Sequence, residues 1–335
     1  MQAWQVMTVG EPADVLVLCD VVEPQVPAGH VRVKVLATAL NFPDVLMARG
    51  HYQVRPALPF VPGVEVCGEV LQVGSAAEGA VVGPPIRVGD RVVGTTAMPH
   101  GGLAEQALLP LGGTFAAPPS LDDAEASCLT IAYQTAYVGL VRRAALAPGE
   151  TLVVHAAAGG VGSAAVQVGK ALGARVVAVV GGEAKAEVAR AAGADVVVDR
   201  KAGDLVGDLK DAVGPTGADV VFDPVGGASY DASTKVIGFE GRIVVVGFTS
   251  GTIPTPALGH ALVKNYSILG LHWGLYLQRD PAVARQAHET LSRWAAEGRV
   301  RPVVSQRVPF GDAPAALARL GAGQTTGRLV VTATG

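Results

Sequence analysis

A short run of small residues in the middle of the chain has the spacing of a phosphate-binding turn. The run follows the apolar stretch TLVVHAA and precedes VGSAAVQVGKAL, which has a helical composition. Small residues between a strand and a helix let the backbone approach a pyrophosphate, whose charge is stabilised at the helix N-terminus. The pattern predicts a dinucleotide site whose contacts are Ala157, Gly159, Gly160, Val161 and Gly162. Ala157 replaces the first glycine of the usual pattern.

The next predicted strand, RVVAVV, carries the information about which dinucleotide binds. In an NAD site this strand usually ends on an acid that accepts from the ribose 2′-hydroxyl, but here it runs into Gly181 and Gly182. Glycines leave room for an added 2′-phosphate, and Lys185 and Arg200 are cations that can pair with it. The sequence therefore favours NADPH over NADH.

Two acidic residues close to this position argue for the opposite preference. Glu183 can take the role of the ribose-binding acid if the loop after Gly182 bends, and Asp199, which ends the third strand, would repel a phosphate. The preference for NADPH is therefore modest at the level of sequence.

The elements that must position these residues change character near residue 126. Before it, short valine-rich runs such as HVRVKVLATAL and GVEVCGEVLQVG are separated by glycine and proline, which predicts a barrel-like β domain. After it, strands alternate with helices, which predicts a doubly wound parallel sheet in an α/β fold. The stretch VKNYSILGLHWG looks like the last strand of that sheet, and GRLVVTATG is expected to return to the first domain. We predict a β domain over 1–125, completed by 270–335, and a dinucleotide-binding domain over 126–269.

Composition bounds the remaining possibilities. Half of the 335 residues are hydrophobic and 16% are charged, which is a globular composition. A net charge of −3 gives no reason to expect nucleic acid or an anionic membrane as a partner. No apolar run reaches the roughly 18 residues of a membrane span, and the beginning, MQAWQVMTVGEPADVL, lacks the features of a signal peptide. We expect a cytoplasmic protein.

Several ordered motifs resemble one enzyme family. The stretch NFPDVLMARGHYQVRPALPFVPGVEVCGEV, residues 41–70, contains N-x-x-D, R-G-x-Y and P-F-x-P-G-x-E-x-x-G in order, followed by GDRVVG and GGLAE. With the glycine turn downstream, the chain resembles a zinc-independent medium-chain dehydrogenase/reductase, and most of all the NADPH:quinone reductases that include ζ-crystallin. This resemblance implies a GroES-like catalytic domain joined to a Rossmann domain, with the active site in the cleft between them.

The residues argue against a catalytic metal. Zinc alcohol dehydrogenases of the superfamily place a cysteine near position 41 and His-Glu near 64, where this chain has Asn41 and Val64-Glu65. A catalytic zinc needs three thiolate, imidazole or carboxylate ligands, and neither Asn41 nor Val64 is a credible substitute. The three cysteines lie far apart and form no CxxC cluster. We predict no metal site.

The resemblance also implies which side chains act on the substrate. Asn41 and Tyr52 match polar positions that the family places in the cleft, where an amide or a phenol donates to an acceptor oxygen. Thr130 resembles the family threonine near the nicotinamide. Asp44 and Glu65 are expected to be structural hydrogen-bonding groups.

Further cofactor contacts are carried over from the family to positions at the ends of later strands. Two glycine-containing turns follow the fourth and fifth predicted strands of the sheet, at the edge where dinucleotides lie. An aromatic residue in LHWG is expected close to the nicotinamide. These predicted contacts are Val225, Gly226, Gly247, Phe248 and Trp273.

Three functions remain open at this stage. The first is hydride transfer from NADPH to a quinone, and the second is reduction of an activated alkene such as a 2-alkenal, an enone or an enoyl thioester. A thioester of coenzyme A would need a basic patch, to which Arg49 and Arg55 could contribute. The third is NADPH binding without important catalysis. As in the family, NYSILGLHWG is expected to pair with its copy in a homodimer.

Overall fold

The computed structural model describes residues 1–75 and 85–332. They form two compact units, the first of residues 1–75, 85–131, 276–296 and 304–332, the second of residues 132–275 and 297–303. The division falls at 131 and 275, against predicted boundaries at 125 and 269. The first of these breaks lies inside the helical segment Leu129–Tyr133.

Strands and helices are numbered in chain order. The strands are β1 (Gln2–Val6), β2 (Leu16–Asp20), β3 (His30–Ala39), β4 (Glu65–Val73), β5 (Arg91–Thr95), β6 (Gln106–Pro110), β7 (Thr114–Ala116), β8 (Thr151–Val154), β9 (Arg175–Val180), β10 (Val196–Asp199), β11 (Ala218–Asp223), β12 (Ile237–Val245), β13 (Ser267–Gly270), β14 (Val304–Pro309) and β15 (Arg328–Thr332). The α-helices are α1 (Pro12–Val15), α2 (Phe42–Ala48), α3 (Asp123–Ser127), α4 (Gln134–Tyr137), α5 (Gly160–Ala171), α6 (Glu183–Ala191), α7 (Leu205–Val213), α8 (Ala228–Val236), α9 (Leu258–Lys264), α10 (Gly274–Arg279), α11 (Pro281–Ala296) and α12 (Ala313–Gly321). Short 3₁₀ turns occupy Leu111–Gly113 and Phe310–Asp312, and π-helical turns occupy Leu129–Tyr133 and Val138–Arg143.

The first unit is built on a sheet of short, valine-rich strands. Its order is β14-β15-β3-β4-β5-β7, with β6 also paired to β3. Strand β15 lies antiparallel to β3, with Val330 opposite Ala39, so the predicted return of GRLVVTATG to the first domain is confirmed. One face is packed by Val31, Val33, Val66 and other buried valines, which is the burial expected for β-branched residues on a pleated surface.

The second unit contains the doubly wound sheet. Its order is β10-β9-β8-β11-β12-β13, and every neighbouring pair is parallel. The direction of winding reverses between β8 and its neighbour β11, and in open parallel sheets ligands bind outside the carboxyl ends of the strands at such a point. The sheet places the turn after β8 there.

The strand predictions are confirmed in place but not always in length. RVVAVV is β9 residue for residue, whereas TLVVHAA forms a strand only as far as Val154. In VKNYSILGLHWG, helix α9 continues to Lys264, and only Ser267–Gly270 is extended. Helix α7 was not predicted, although its N-terminus is marked by Asp204, whose side chain accepts from the N–H of Val206.

A buried histidine in the first unit has no part in the predicted chemistry. His288, on α11, stacks on Phe115 with ring centroids 4.6 Å apart, and its Nε2 donates to the carbonyl of Ala116 at 2.9 Å. Burial lowers the pKa of His288 from its ordinary 6.5 to about 4. The ring is therefore neutral in the folded protein at neutral pH.

This shift predicts a loss of stability in mild acid. In the unfolded chain His288 takes up a proton near pH 6.5, but the folded protein resists it until about pH 4, so the free energy of unfolding falls by about 3 kcal/mol between those values. His288→Gln retains an N–H donor for Ala116 without titrating, and we expect it to remove this part of the pH dependence. Urea unfolding at pH 7 and pH 4.5 measures it. Identical pH dependence in the two proteins would contradict the assignment.

Candidate functional site

The turn after β8 is built around Ala156 rather than a glycine. Ala156 has φ of 49°, and its carbonyl accepts from the N–H of Gly159 at 2.8 Å. Because the left-handed residue is Ala156, Ala157 needs no positive φ, and the missing first glycine is tolerated. A side chain on Gly162 would collide with the Ala156 carbonyl and lie 2.9 Å from Cα of Ala157, so α5 can pack on the turn only with glycine at this position.

The N-terminus of α5 offers unpaired donors to an anion. The first backbone bond of the helix is from Ser163 N–H to the carbonyl of Gly159 at 2.8 Å. Over residues 1–75 and 85–332, no protein acceptor is recorded for the amides of Gly160, Val161 and Gly162. A helix N-terminus of this kind has the donors and the dipole that bind a pyrophosphate.

Three cations gather at the end of β9. The Cβ of a residue replacing Gly181 would lie 3.2 Å from Nε of Arg200 and 3.4 Å from Cε of Lys201, so both side chains lie across this glycine. Burial, followed by the charges of Arg200 and Lys201, lowers the pKa of Lys185, which places it in the same field. Sequence reasoning found Lys185 and Arg200 but missed Lys201, whose signal was its position next to Arg200.

The two acids that argued for NADH have other partners. Asp199 accepts through Oδ1 from the N–H groups of Lys201 and Gly182, at 3.0 and 2.9 Å, and these bonds lower its pKa. Glu183 forms an ion pair with Arg190 at 2.5 Å on the surface of α6. Asp199 thus stabilises the turn that carries the cations.

A second turn follows β11. Asp223 is buried, and its Oδ1 accepts from the N–H groups of Val225 and Gly226 at 2.8 and 3.0 Å. Gly226 has φ of 70°, and a Cβ here would lie 2.9 Å from the ring of Phe248 and 2.8 Å from the carbonyl of Thr252. The structure therefore brings Val225, Gly226 and Phe248 together.

Two other predicted cofactor contacts differ in their surroundings. A Cβ on Gly247 would lie 3.5 Å from the carbonyl of Pro224, so Gly247 lies beside the same turn. Trp273 is buried, and its Nε1 donates to Oε1 of Gln134 at 3.2 Å. The indole N–H is thus used within the protein, and contact with a nicotinamide would involve the ring rather than this donor.

In the first unit, Asn41 belongs to a buried ionic network. Its Nδ2 donates to the carbonyl of Ala39 and to Oε2 of Glu65, both at 3.0 Å, and its Oδ1 accepts from Arg328 at 2.8 Å. Arg328 also pairs with Glu65 at 2.6 Å, and both side chains are buried. The amide hydrogens of Asn41 are therefore both taken, and its predicted role as a donor to a substrate requires one of these bonds to be exchanged. Glu65 makes the hydrogen bonds expected of a structural group.

Asp44 holds the loop after α2. Its carboxylate accepts from the N–H of Asn41 at 2.9 Å, of Gly63 at 2.8 Å and of Val64 at 3.1 Å, as expected for a structural group. Burial raises its pKa to about 6, against the opposing effect of these three donors. The carboxylate is therefore mostly charged at neutral pH.

Tyr52 and Thr130 are the predicted catalytic positions whose polar atoms are least engaged. Tyr52 is half-buried, and burial followed by the charge of Asp44 raises the pKa of its phenol above the ordinary 10. It is protonated and able to donate at neutral pH. Thr130 is fully buried, and its Oγ1 has no hydrogen-bond partner in the described part of the chain.

Of the two arginines, Arg49 and Arg55, that could bind an acyl-CoA substrate, Arg49 is already paired with a carboxylate. Arg49 binds Glu11 through Nε and Nη2, at 2.9 and 2.8 Å. An arginine held in this bidentate geometry is committed to its carboxylate.

Two families of known proteins match different parts of the chain. Residues 27–122 match the family described as "Alcohol dehydrogenase GroES-like domain", and residues 160–293 match "Zinc-binding dehydrogenase". The "Quinone oxidoreductase-like protein 2 homolog" of Nematostella vectensis is 35% identical over 90% of this chain and 81% of its own length. The chain belongs to the medium-chain dehydrogenase/reductase family, in its quinone oxidoreductase branch. Its fold, a Rossmann-like sheet with a GroES-like domain, is the one predicted.

Solved structures of this family agree over the whole length. A mycobacterial protein complexed with NADPH is 30% identical, with 99% of both chains covered and a TM-score of 0.90. The quinone oxidoreductase of Escherichia coli complexed with NADPH is 29% identical, with 99% of this chain and 100% of that chain covered and a TM-score of 0.88. The family supports a nicotinamide cofactor and oxidoreductase chemistry.

The described residues contain neither a membrane-spanning helix nor a cluster of metal ligands. No helix among them is long and apolar enough to cross a membrane. No group of three or more His, Cys, Asp or Glu side chains within them is arranged to hold a metal ion, although one matched family carries zinc in its description.

Proposed function

We propose that this chain is an NADPH-dependent quinone oxidoreductase that works without a metal. The observation that carries the proposal is the turn after β8, where three unpaired amides at the N-terminus of α5 face the expected position of a pyrophosphate. The quinone acceptor is supported by the names of the relatives, and the cofactor by the NADPH in two solved relatives. Each needs its own test.

The preference for NADPH rests on charge at the end of β9. A 2′-phosphate there would contact Arg200 and Lys201, with Lys185 nearby. The two carboxylates close to this tip already have partners, because Asp199 accepts from backbone N–H groups and Glu183 pairs with Arg190. Charge-assisted hydrogen bonds of this kind contribute about 1.5–3 kcal/mol each. NADH could not make them.

The proposed reaction needs only a positioned acceptor and one proton donor from the protein. A bound reduced nicotinamide supplies a hydride, and one proton completes the two-electron reduction of a quinone to a hydroquinone. In this proposal the Tyr52 phenol, which stays protonated at neutral pH, donates to the acceptor oxygen where charge develops. Thr130 contributes its buried hydroxyl as a hydrogen-bonding group, and the Asn41 amide is held by Glu65 and Arg328.

We also propose a homodimer formed through the edge of the second unit's sheet. Within the described residues β13 pairs only with β12, which leaves its outer edge open. Helix α9, beside it, has no buried residue, and its Leu262 and Val263 are 78% and 80% exposed. Phe239 on β12 is 73% exposed. An open edge with apolar neighbours is suited to self-pairing about a two-fold axis, which would cover both.

The acceptor is tested first. The purified protein is mixed with NADPH and, separately, 1,4-benzoquinone, 9,10-phenanthrenequinone, an enone or crotonyl-CoA, and the loss of NADPH absorbance is followed. We expect turnover with the quinones, one hydroquinone per NADPH, and none in Gly162→Val, which blocks the turn. Turnover only with the enone or the thioester would assign alkene reduction instead. Binding of NADPH without turnover of any acceptor would leave a binding protein.

The cofactor preference is tested by removing the cations. We expect Arg200→Ala and Lys201→Ala each to lower kcat/KM for NADPH about tenfold, because each removes a charged hydrogen bond worth about 1.5 kcal/mol or more, while kcat/KM for NADH changes by less than about twofold. Lys210→Ala, an exposed lysine on α7, is the control. Equal losses with both cofactors would refute a 2′-phosphate site.

The dimer is tested by sedimentation velocity. We expect a mass near twice the 34.0 kDa of one chain, and dissociation in Leu262→Asp because a charge would be buried at the interface. Val22→Asp, at an apolar residue that is 91% exposed in the other unit, should leave the mass unchanged. A monomeric native protein would disprove this interface.

A further inference from the structure

His155 joins the two turns at which the cofactor is expected, and none of the predicted functions uses it. It is the residue directly after β8, its side chain is fully buried, and its backbone N–H donates to the carbonyl of Phe222 in β11 at 3.1 Å. The next residue is Ala156, whose left-handed conformation and carbonyl position Gly159 and Gly162. A shift of His155 is therefore passed directly to the turn before α5.

The side chain of His155 reaches in the other direction, to α8. Its Nε2 lies 2.9 Å from Oγ of Ser233, and that hydroxyl lies 2.7 Å from the carbonyl of Ser229. A carbonyl only accepts, so the single proton of Ser233 goes to Ser229. The hydroxyl oxygen then accepts from His155, which fixes the proton on Nε2.

The chain of hydrogen bonds continues to the second turn. The N–H of Ser229 donates to the carbonyl of Gly226 at 3.2 Å, and the N–H of Gly226 is itself held by Asp223 at 3.0 Å. One sequence of bonds thus runs from the residue that begins the first turn, through α8, to Gly226. All of its members lie in the second unit.

The Nδ1 atom of His155 has no hydrogen-bond partner among the described residues, which indicates that the side chain is there for its other nitrogen, Nε2. Nδ1 is buried without a hydrogen-bond partner among the described residues, and burial lowers the pKa of the ring, so the imidazole is neutral. A buried acceptor without a donor costs stability. If residue 155 served only to fill space, an apolar side chain would avoid the cost of the unpaired Nδ1. The imidazole is needed for the hydrogen bond from Nε2–H to Ser233.

We propose that His155 is a positioning residue for the dinucleotide, setting the Gly159–Gly162 turn relative to the Val225–Gly226 turn through its bond to Ser233. The proposal rests on the proposed function, because it takes both turns as cofactor contacts. In a sheet of this order the adenosine lies over β9, and the other half of the dinucleotide lies over β11 and β12. Loosening the link should therefore weaken binding of the whole dinucleotide but not of its adenosine end.

The experiment compares two ligands by titration calorimetry: NADPH, and 2′,5′-ADP, which contains the adenosine with its 2′- and 5′-phosphates but lacks the nicotinamide half. We expect His155→Leu and Ser233→Ala each to raise the Kd for NADPH about tenfold, and the double variant to be no worse than either, since both remove the same bond. His155→Gln retains an N–H donor and should stay within about threefold of the native protein. The Kd for 2′,5′-ADP should stay within about twofold throughout.

The outcomes separate this inference from the function on which it rests. If the native protein binds neither ligand, the proposed function fails. If the native protein binds both and His155→Leu binds NADPH as tightly, the positioning role is refuted while the function stands. Equal weakening of both ligands would show general damage and would also refute it. Ser233→Ala, the smaller change, decides the matter if His155→Leu does not fold.

Discussion

The buried ion pair between Arg328 and Glu65 is the interaction on which the first unit depends. Two opposite charges are removed from water, and such a pair is tolerated only when hydrogen bonds satisfy its remaining atoms. Glu65 meets this condition with Asn41 and the N–H of Ile131 at 2.6 Å as further donors. Arg328 also donates to the Asn41 oxygen, but its buried Nε has no partner among the described residues. The pair thereby fixes the entry to α2, the start of β4, the strand β15 and the π-helical turn at 129–133. Loss of either charge would leave the other buried alone.

The same use of carboxylates recurs in the second unit. Asp199 and Asp223 end two strands of the parallel sheet. Asp223 accepts from two N–H groups of the turn that follows it, and Asp199 accepts from Lys201 in its own turn and from Gly182 in the turn after β9. At a strand end, an acid can either bind a ligand or hold the next turn, and these two do the latter. Asp199 nevertheless stays charged beside the cations at Gly181, because the two N–H groups, followed by the charges of Lys201 and Arg200, lower its pKa. The acid at the end of β10 thus has a structural role, which is compatible with the proposed phosphate site at Gly181.

The sequence predicted the fold better than the bonding within the site. Local patterns were sufficient for β9, for the helix after the glycine turn and for the return of β15, because periodicity and composition act over short distances. The helical part of VKNYSILGLHWG was missed because no apolar residue of α9 is buried, and α7 was missed although Leu209 and Val213 give it a buried face. The engagement of the Asn41 amide could not be predicted, since it depends on Arg328, 287 residues away. No role could be predicted for His155, because only the fold brings Ser233 to it.

The position of β15 in the first sheet has a consequence for the order in which the chain is made. Strand β3 is translated early, yet its neighbour β15 begins at Arg328, after all of the second unit has been synthesised. The parallel sheet can form on the ribosome from a nearly continuous segment, while the β domain waits without a partner for Ala37–Ala39 of β3 on the side that β15 covers, and with Glu65 lacking its counter-charge. Contacts so distant in sequence close slowly, and incomplete sheets aggregate through free edges. The early β strands of this chain are therefore the segment most exposed to chaperones during synthesis.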